Sequence, residues 1–323
     1  MTIKIGFVEI PTRILLAPMA GCTDLPFRLI ARKHGAKFCF FEMVDCNSIT
    51  YGQKRTVRSI LKSCPADTPI AAQILGRDPD AMLKGAEEML GITKASFLDV
   101  NAACPAKKVV KKHAGSYLLN DEPELQRILK KLSGALDIPV TVKLRTGYLK
   151  PDTKKIASLA KKCEDSGAAA IFIHGRTRAQ GYTGEIDYES IKAVKDTVNI
   201  PVFGSGNIFT PESAKSMLDR TGCDGILVAR GSLGNPWLIK QIEKFLDTGR
   251  IEEPVDLSSR KAIVKKHLTY VEEFLELKPS SKIGHMRKTV IWYMKYFPNA
   301  SKIRQKASLV TSYENMIELI DSL

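Results

Sequence analysis

Short apolar segments rich in β-branched and aromatic residues recur along the chain. Each is followed by turn residues and then by a longer stretch whose apolar positions keep helical spacing. The segments predict strands over residues 14–17, 38–41, 70–74, 97–101, 140–144, 170–174, 201–204 and 225–229. Each is too short for a helix, and most lack the apolar–polar alternation of a strand with one wet face, as strands buried on both faces do. Helix starts are marked in between. Asp78-Pro79-Asp80, Asp121-Glu122-Pro123-Glu124 and Thr210-Pro211-Glu212 each set a capping side chain ahead of a first-turn proline. Eight strand–helix units over about 240 residues is the count of an α/β fold of the TIM (β/α)8 barrel type. A doubly wound sheet uses the same units, but no strand here runs into a G-x-G-x-x-G turn.

The pattern changes after Trp237. Residues 246–259 form a polar connector broken by Gly249 and Pro254, and from Arg260 onward the spacing is helical. Ile263, His267, Tyr270, Val271 and Phe274 fall on one face, and two or three further helices are predicted within 283–323. The expected organisation is a barrel over 1–245 followed by a small helical domain over 246–323. No apolar run approaches the roughly 20 residues that span a bilayer, and the first ten residues lack a signal peptide's layout, so a soluble cytoplasmic protein with no membrane partner is expected.

Charge adds a partner class. Lys and Arg number 49 against 35 Asp and Glu, a formal +14, which favours polyanions, nucleic acid first. Residues 282–306 carry Lys282, Arg287, Lys288, Lys295, Lys302, Arg304 and Lys306 with no acidic residue, interleaved with Trp292, Tyr293, Tyr296 and Phe297. A basic face for phosphates over an aromatic domain core accounts for that mixture. The seven cysteines (22, 39, 46, 64, 104, 163 and 223) are odd in number and hold no C-x-x-C pair, against a disulfide framework or a metal site. Cys39, Cys163 and Cys223 read as small buried hydrophobes, while Cys22 and Cys46, near strand ends, stay open.

In TIM barrels chemistry gathers at the C-terminal strand ends, where the loops converge. Ser205-Gly206-Asn207 after the seventh strand and Ala229-Arg230-Gly231 after the eighth are small, glycine-containing loops of the kind whose N–H groups hold a phosphate. Gln73, Lys143 and His174 bring an amide, a cation and an imidazole to the same mouth, the lining that a flavin's polar edge takes. Cys104 stands in a strand-to-loop turn ahead of Lys107, Lys108, Lys111, Lys112 and His113, a basic run that lowers a thiol's pKa and attracts phosphates.

At these residues the sequence resembles the tRNA-dihydrouridine synthases, and most of all their bacterial B-type branch. The resemblance runs from about Ile14 to Trp237 and continues more weakly into the tail. It rests on residues 16–28 (LAPMAGCTDLPFR), 99–119 around Cys104, 142–147 (VKLRTG), 174–178 (HGRTR) and 229–237 (ARGSLGNPW). It implies FMN on the barrel, with Pro18, Met19 and Ala20 against the ring system. Gln73, Lys143 and His174 would lie at its polar edge, with Ser205, Gly206, Asn207, Ala229 and Arg230 at the phosphate. It further implies NADPH or NADH as reductant and a flipped-out uridine in tRNA as substrate. Hydride would pass from flavin N5 to C6, and Cys104 would act as the acid that protonates C5, with Asn101 and Arg178 at the uracil or its flanking phosphate.

The chain departs from the family pattern at Ala103, where Gly usually precedes the cysteine, and at Ser205-Gly206-Asn207, usually Asn-Gly-Asp. It departs also at Ala229, commonly Gly, and at His113, usually a small or apolar residue. Ribosomal RNA is the rival substrate within this class. A small-molecule flavin enzyme of dihydroorotate-dehydrogenase type and an RNA-binding protein without catalysis are the rivals outside it. The basic tail and the lysine run after Cys104 argue against the small-molecule enzyme. No bound metal and a monomeric state complete the expectations.

Overall fold

The computed structural model describes residues 2–51 and 54–323. A short antiparallel hairpin, β1 (Ile3–Ile5) and β2 (Val8–Ile10), precedes the barrel and had no counterpart in the hydrophobic pattern. The barrel strands are β3 (Ile14–Leu16), β4 (Cys39–Asp45), β5 (Ile70–Leu75), β6 (Leu98–Asn101), β7 (Val140–Arg145), β8 (Ile171–His174), β9 (Val202–Ser205) and β10 (Gly225–Val228). They follow the predicted segments within a residue, save that β4 runs on to Asp45 through a register shift between Phe40 and Met43. All are parallel, in the order β3-β10-β9-β8-β7-β6-β5-β4. Leu16 N donating to Phe38 O at 3.0 Å draws the two end strands together. This is the TIM-barrel class expected from the strand–helix count.

Alternate residues of a strand point to one side, and the inward rows explain how the site is built. Their lower positions are apolar: Phe38, Phe40, Phe97, Phe172 and Phe203 form one cluster with Leu15, Leu227 and, from the hairpin, Ile5 and Ile10. Phe38 stacks on Phe97 at 5.4 Å and Phe172 meets Phe203 at 4.9 Å. Two residues further along the same rows stand Asp99, His174 and Ser205, just above Phe97, Phe172 and Phe203. Register sets these polar positions side by side: Gln73 pairs with Asp99, Asn101 with Lys143, Arg145 and Ser205 each with His174. An aromatic floor thus carries a polar mouth.

Two of the three proline-marked helix starts are capped as read. Asp78 Oδ1 accepts from Ala81 N at 2.8 Å, and Thr210 forms a reciprocal box with Ser213. Asp121 does not cap its helix; its carboxylate instead lies 3.0 Å from Arg77 Nη2, where a charge partner competes with the helix N–H groups.

The C-terminal region consists of helices Leu257–Phe274, Pro279–Met294, Ala300–Leu309 and Tyr313–Asp321 around a core of its own, with Leu268, Val290, Tyr293, Met294 and Phe297 among its members. On the first of these helices the buried stripe is Arg260, Val264, His267, Leu268 and Val271, rotated from the expected face so that Ile263, Tyr270 and Phe274 are only half-buried. The joint to the barrel centres on the helix Leu25–Lys33: Phe27 meets the rings of His267 (6.0 Å) and Trp292 (5.8 Å). Asp24 Oδ2 lies 2.8 Å from His285 Nε2, and Lys288 Nζ donates to Gly21 O. The basic tail is therefore divided in use. Lys282, Arg287 and Lys288 are spent on Glu272, Val310 O and Gly21 O, while Lys295, Lys302 and Lys306 are exposed. Among the described residues, no helix is long and apolar enough to cross a membrane.

Candidate active site

A chain of hydrogen bonds crosses the mouth from β7 to the loop after β6. Thr141 Oγ1 donates to Asp99 Oδ1 (2.8 Å), Gln73 Nε2 donates to Asp99 Oδ2 (2.7 Å) and Asn101 Nδ2 donates to Gln73 Oε1 (2.8 Å). Asn101 Oδ1 then accepts the backbone N–H groups of Ala103 (3.0 Å) and Cys104 (2.8 Å). The loop is held from two further sides, by Arg145 Nε on Ala103 O (2.7 Å) and Ser116 N on Cys104 O (3.1 Å). Cys104 is half-buried at the end of this chain. Ala103 is buried with its backbone outside the left-handed region, so the departure from Gly brings no backbone strain.

Charge in the mouth is nearly all positive. Burial pushes the Asp99 carboxyl up and the Lys143 ammonium down, the latter helped by Arg145 and opposed by Asp99. His174 is held well below the ordinary imidazole value by burial first and then by Lys143, Arg145 and Arg176, so it is neutral at neutral pH. Its Nδ1 lies 3.3 Å from Ser205 Oγ, and its Nε2 is buried with no protein partner. Arg176 Nη1 and Arg178 Nε share that state. In the lysine run, Lys107, Lys108 and Lys111 face solvent and Lys112 pairs with Asp45 at 2.9 Å.

The loops after β9 and β10 touch backbone to backbone. A Cβ on Gly231 would lie 2.1 Å from Ile208 O, and one on Gly206, at φ +134, would lie 2.5 Å from Ile186 Cδ1. Asn207 takes the left-handed conformation at φ +49, which an Asn tolerates, and it does so without adding a negative charge. Ala229 and Arg230 lead into the single turn Arg230–Ser232. Pro18, Met19 and Ala20 follow β3, with Met19 N on Thr23 Oγ1 at 3.0 Å, and Arg178 lies over the ring of Tyr148 at 5.1 Å. The glycine cradle, the unpartnered buried nitrogens of His174, Arg176 and Arg178, and the Lys143 cation together fit an anionic, phosphate-bearing ligand with a polar ring edge. FMN is such a ligand.

Asp99 and Tyr182 also belong to the mouth. Asp99 was legible as the one acid in an apolar strand. Tyr182 was not, because it stands in a loop: it is exposed, with Arg230 4.9 Å and Arg145 5.6 Å from its ring and His174 at 6.3 Å. Cys22 and Cys46, left open by the sequence, are pushed by burial up to about 11 and stay protonated.

The family model described as dihydrouridine synthase matches residues 15–322. The chain is 39% identical to tRNA-dihydrouridine synthase B of Pseudomonas aeruginosa over 94% of its own length and 90% of that protein. It is 36% identical to the protein of the same name from Vibrio cholerae, over 98% and 97%. Among solved structures, the old yellow enzyme homologue of Zymomonas mobilis superposes with a TM-score of 0.56 at 16% identity, covering 79% of this chain and 94% of that one. Morphinone reductase gives 0.55 at 15%, covering 80% and 91%. At such identities these two speak for the fold alone. With the family model spanning nearly the whole chain and B-type relatives above a third identical, the chain belongs to the dihydrouridine synthase family.

Proposed function

We propose that this protein reduces the C5=C6 bond of uridine in tRNA to 5,6-dihydrouridine, with FMN as cofactor and NADPH or NADH as reductant. The observation that carries the reading is Cys104, a half-buried thiol on a loop pinned by Asn101, at the edge of an electropositive mouth built for a phosphate-bearing ligand. FMN, when bound and reduced, supplies the hydride that adds to uracil C6.

The protein's residues do the rest. Gly206 and Gly231 allow the loop N–H groups close to the phosphate, with Ser205, Asn207, Ala229 and Arg230 around it. Lys143 and neutral His174 hold the polar edge of the ring. Gln73 keeps one N–H and one lone pair beyond its bonds to Asp99 and Asn101, enough for a donor–acceptor pair there. Pro18, Met19 and Ala20 pack against the ring. Cys104 Sγ–H gives its proton to C5 while C6 accepts hydride, so the double bond is saturated and the thiolate is reprotonated from solvent. Asn101 holds Cys104 in place. Its Nδ2 also donates to Met43 Sδ at 3.4 Å, a weak acceptor that a uracil carbonyl can replace. Arg178 faces the flanking phosphate, the barrel over 1–245 carries the chemistry, and exposed Lys295, Lys302 and Lys306 of the helical region meet the RNA backbone.

The test is a reconstituted assay with unmodified tRNA transcripts, FMN and each nicotinamide. Dihydrouridine is expected from the wild-type protein. Cys104→Ala is expected to keep its flavin and lose about a hundredfold or more in rate, the share of a general acid. A wild-type protein that binds flavin and leaves every transcript unreduced would overturn the reading.

A further inference from the structure

The segment after Cys104 carries a feature that uridine reduction does not itself require. His113 takes φ +56, in the left-handed region that most side chains avoid. Its exposed ring lies on that of half-buried Tyr117, with centroids 4.4 Å apart and planes 24° from parallel. The turn that carries the pair packs against Cys104. Ser116 N bonds Cys104 O at 3.1 Å, and a Cβ on Gly115 would lie 3.2 Å from that of Cys104. The surrounding rim is cationic, with Lys107, Lys108 and Lys111 exposed. An exposed histidine adds little to a core, so packing does not account for the arrangement.

We infer that the stacked His113–Tyr117 pair is a platform for an unpaired nucleobase next to the target uridine, over which the RNA strand passes with its phosphates toward Lys107, Lys108 and Lys111. The inference rests on the proposed reading of the site as an RNA uridine reductase. Turning one uridine out of a strand unstacks its neighbour, and a ring pair beside the pocket restores a stacking partner. Aromatic stacking accepts any base, so the platform positions the strand without dictating its sequence.

His113→Gly isolates the ring, because glycine adopts φ +56 freely and the turn is kept. Tyr117→Phe retains the lower ring and serves as the control. On unmodified tRNA transcripts, His113→Gly is expected to raise KM about tenfold, the worth of one stacked base, with kcat within about twofold. Tyr117→Phe is expected to match the wild type. With a transcript abasic at one nucleotide flanking the target, the wild type is expected to lose a similar factor and His113→Gly to lose nothing more. Equal KM for wild type and His113→Gly, or equal losses on the abasic transcripts, would overturn the platform. Binding of the same transcripts by fluorescence anisotropy separates the two readings. A wild type that forms no dihydrouridine sinks the reductase reading, while weaker binding by His113→Gly still upholds the platform and unchanged binding rejects it.

Discussion

Asn101 Oδ1 receives the backbone N–H of Cys104 at 2.8 Å, while Asn101 Nδ2 reaches Gln73 Oε1 at 2.8 Å. One amide thus ties the loop of the proposed proton donor to the polar row inside the barrel. Asn101→Ala releases that loop and leaves Gln73 on Asp99. We expect flavin content to be retained and the single-turnover rate of dihydrouridine formation to fall about a hundredfold, the order of loss from misplacing a reacting group by an ångström. Full activity in the variant would show that Arg145 and Ser116 suffice to hold the loop.

Lys143 gives the site a pH dependence. Burial and Arg145 push its ammonium down, so as pH rises it loses its proton before an ordinary lysine does, at about 10.4. Affinity for FMN is then expected to fall through the weakly alkaline range. Lys143→Arg, which keeps its charge, is expected to flatten that limb. Flavin fluorescence quenching followed against pH measures both, and a flat wild-type curve would remove Lys143 from the flavin's polar edge.

Gly231 is where the two phosphate loops meet, and a methyl there would lie 2.1 Å from a backbone oxygen that cannot swing away. Gly231→Ala should lose more than tenfold in FMN affinity and about 2 kcal/mol or more in stability, as overpacking does. Flavin titration and thermal melts of the apoprotein distinguish the two effects.

The joint between barrel and helical region has its own pH signature. Asp24 caps the helix Leu25–Lys33 through Phe27 N at 2.9 Å and lies 2.8 Å from His285. Burial disfavours its ionised form, yet the His285 contact and the cap hold its carboxyl below the ordinary value. A lowered carboxyl stabilises the fold above its unfolded pKa, about 3.9, and that contribution is lost as pH falls through the folded value. Asp24→Ala is accordingly expected to cost about 1–2 kcal/mol at neutral pH, with the gap to wild type closing in acid. A constant gap across pH in thermal melts would contradict the assignment.

What was legible in the sequence follows from how the barrel is made. Doubly buried strands are short apolar runs, and in an apolar run a polar residue such as Gln73, Lys143 or His174 stands out at the strand's end. The inward rows could have given more: Phe97-Leu98-Asp99-Val100-Asn101 alternates, so Asp99 faces the same interior as Phe97 and Asn101. Tyr182 was beyond reach because loops carry no periodicity, and its place between two arginines depends on contacts across the chain. Asp121 misled for the converse reason. Its local pattern is that of a cap, but Arg77, distant in sequence, takes its carboxylate. The buried face of the helix Leu257–Phe274 was set by docking on Phe27 rather than by the spacing of its aromatics.

The most direct test of the account is nucleoside mass spectrometry on tRNA and ribosomal RNA, kept separate, from cells without the gene and from the same cells carrying wild type or Cys104→Ala. The account predicts that dihydrouridine falls in the tRNA pool alone, returns with the wild-type gene and does not return with Cys104→Ala. Unchanged dihydrouridine in tRNA on deletion, or full restoration by Cys104→Ala, would contradict it.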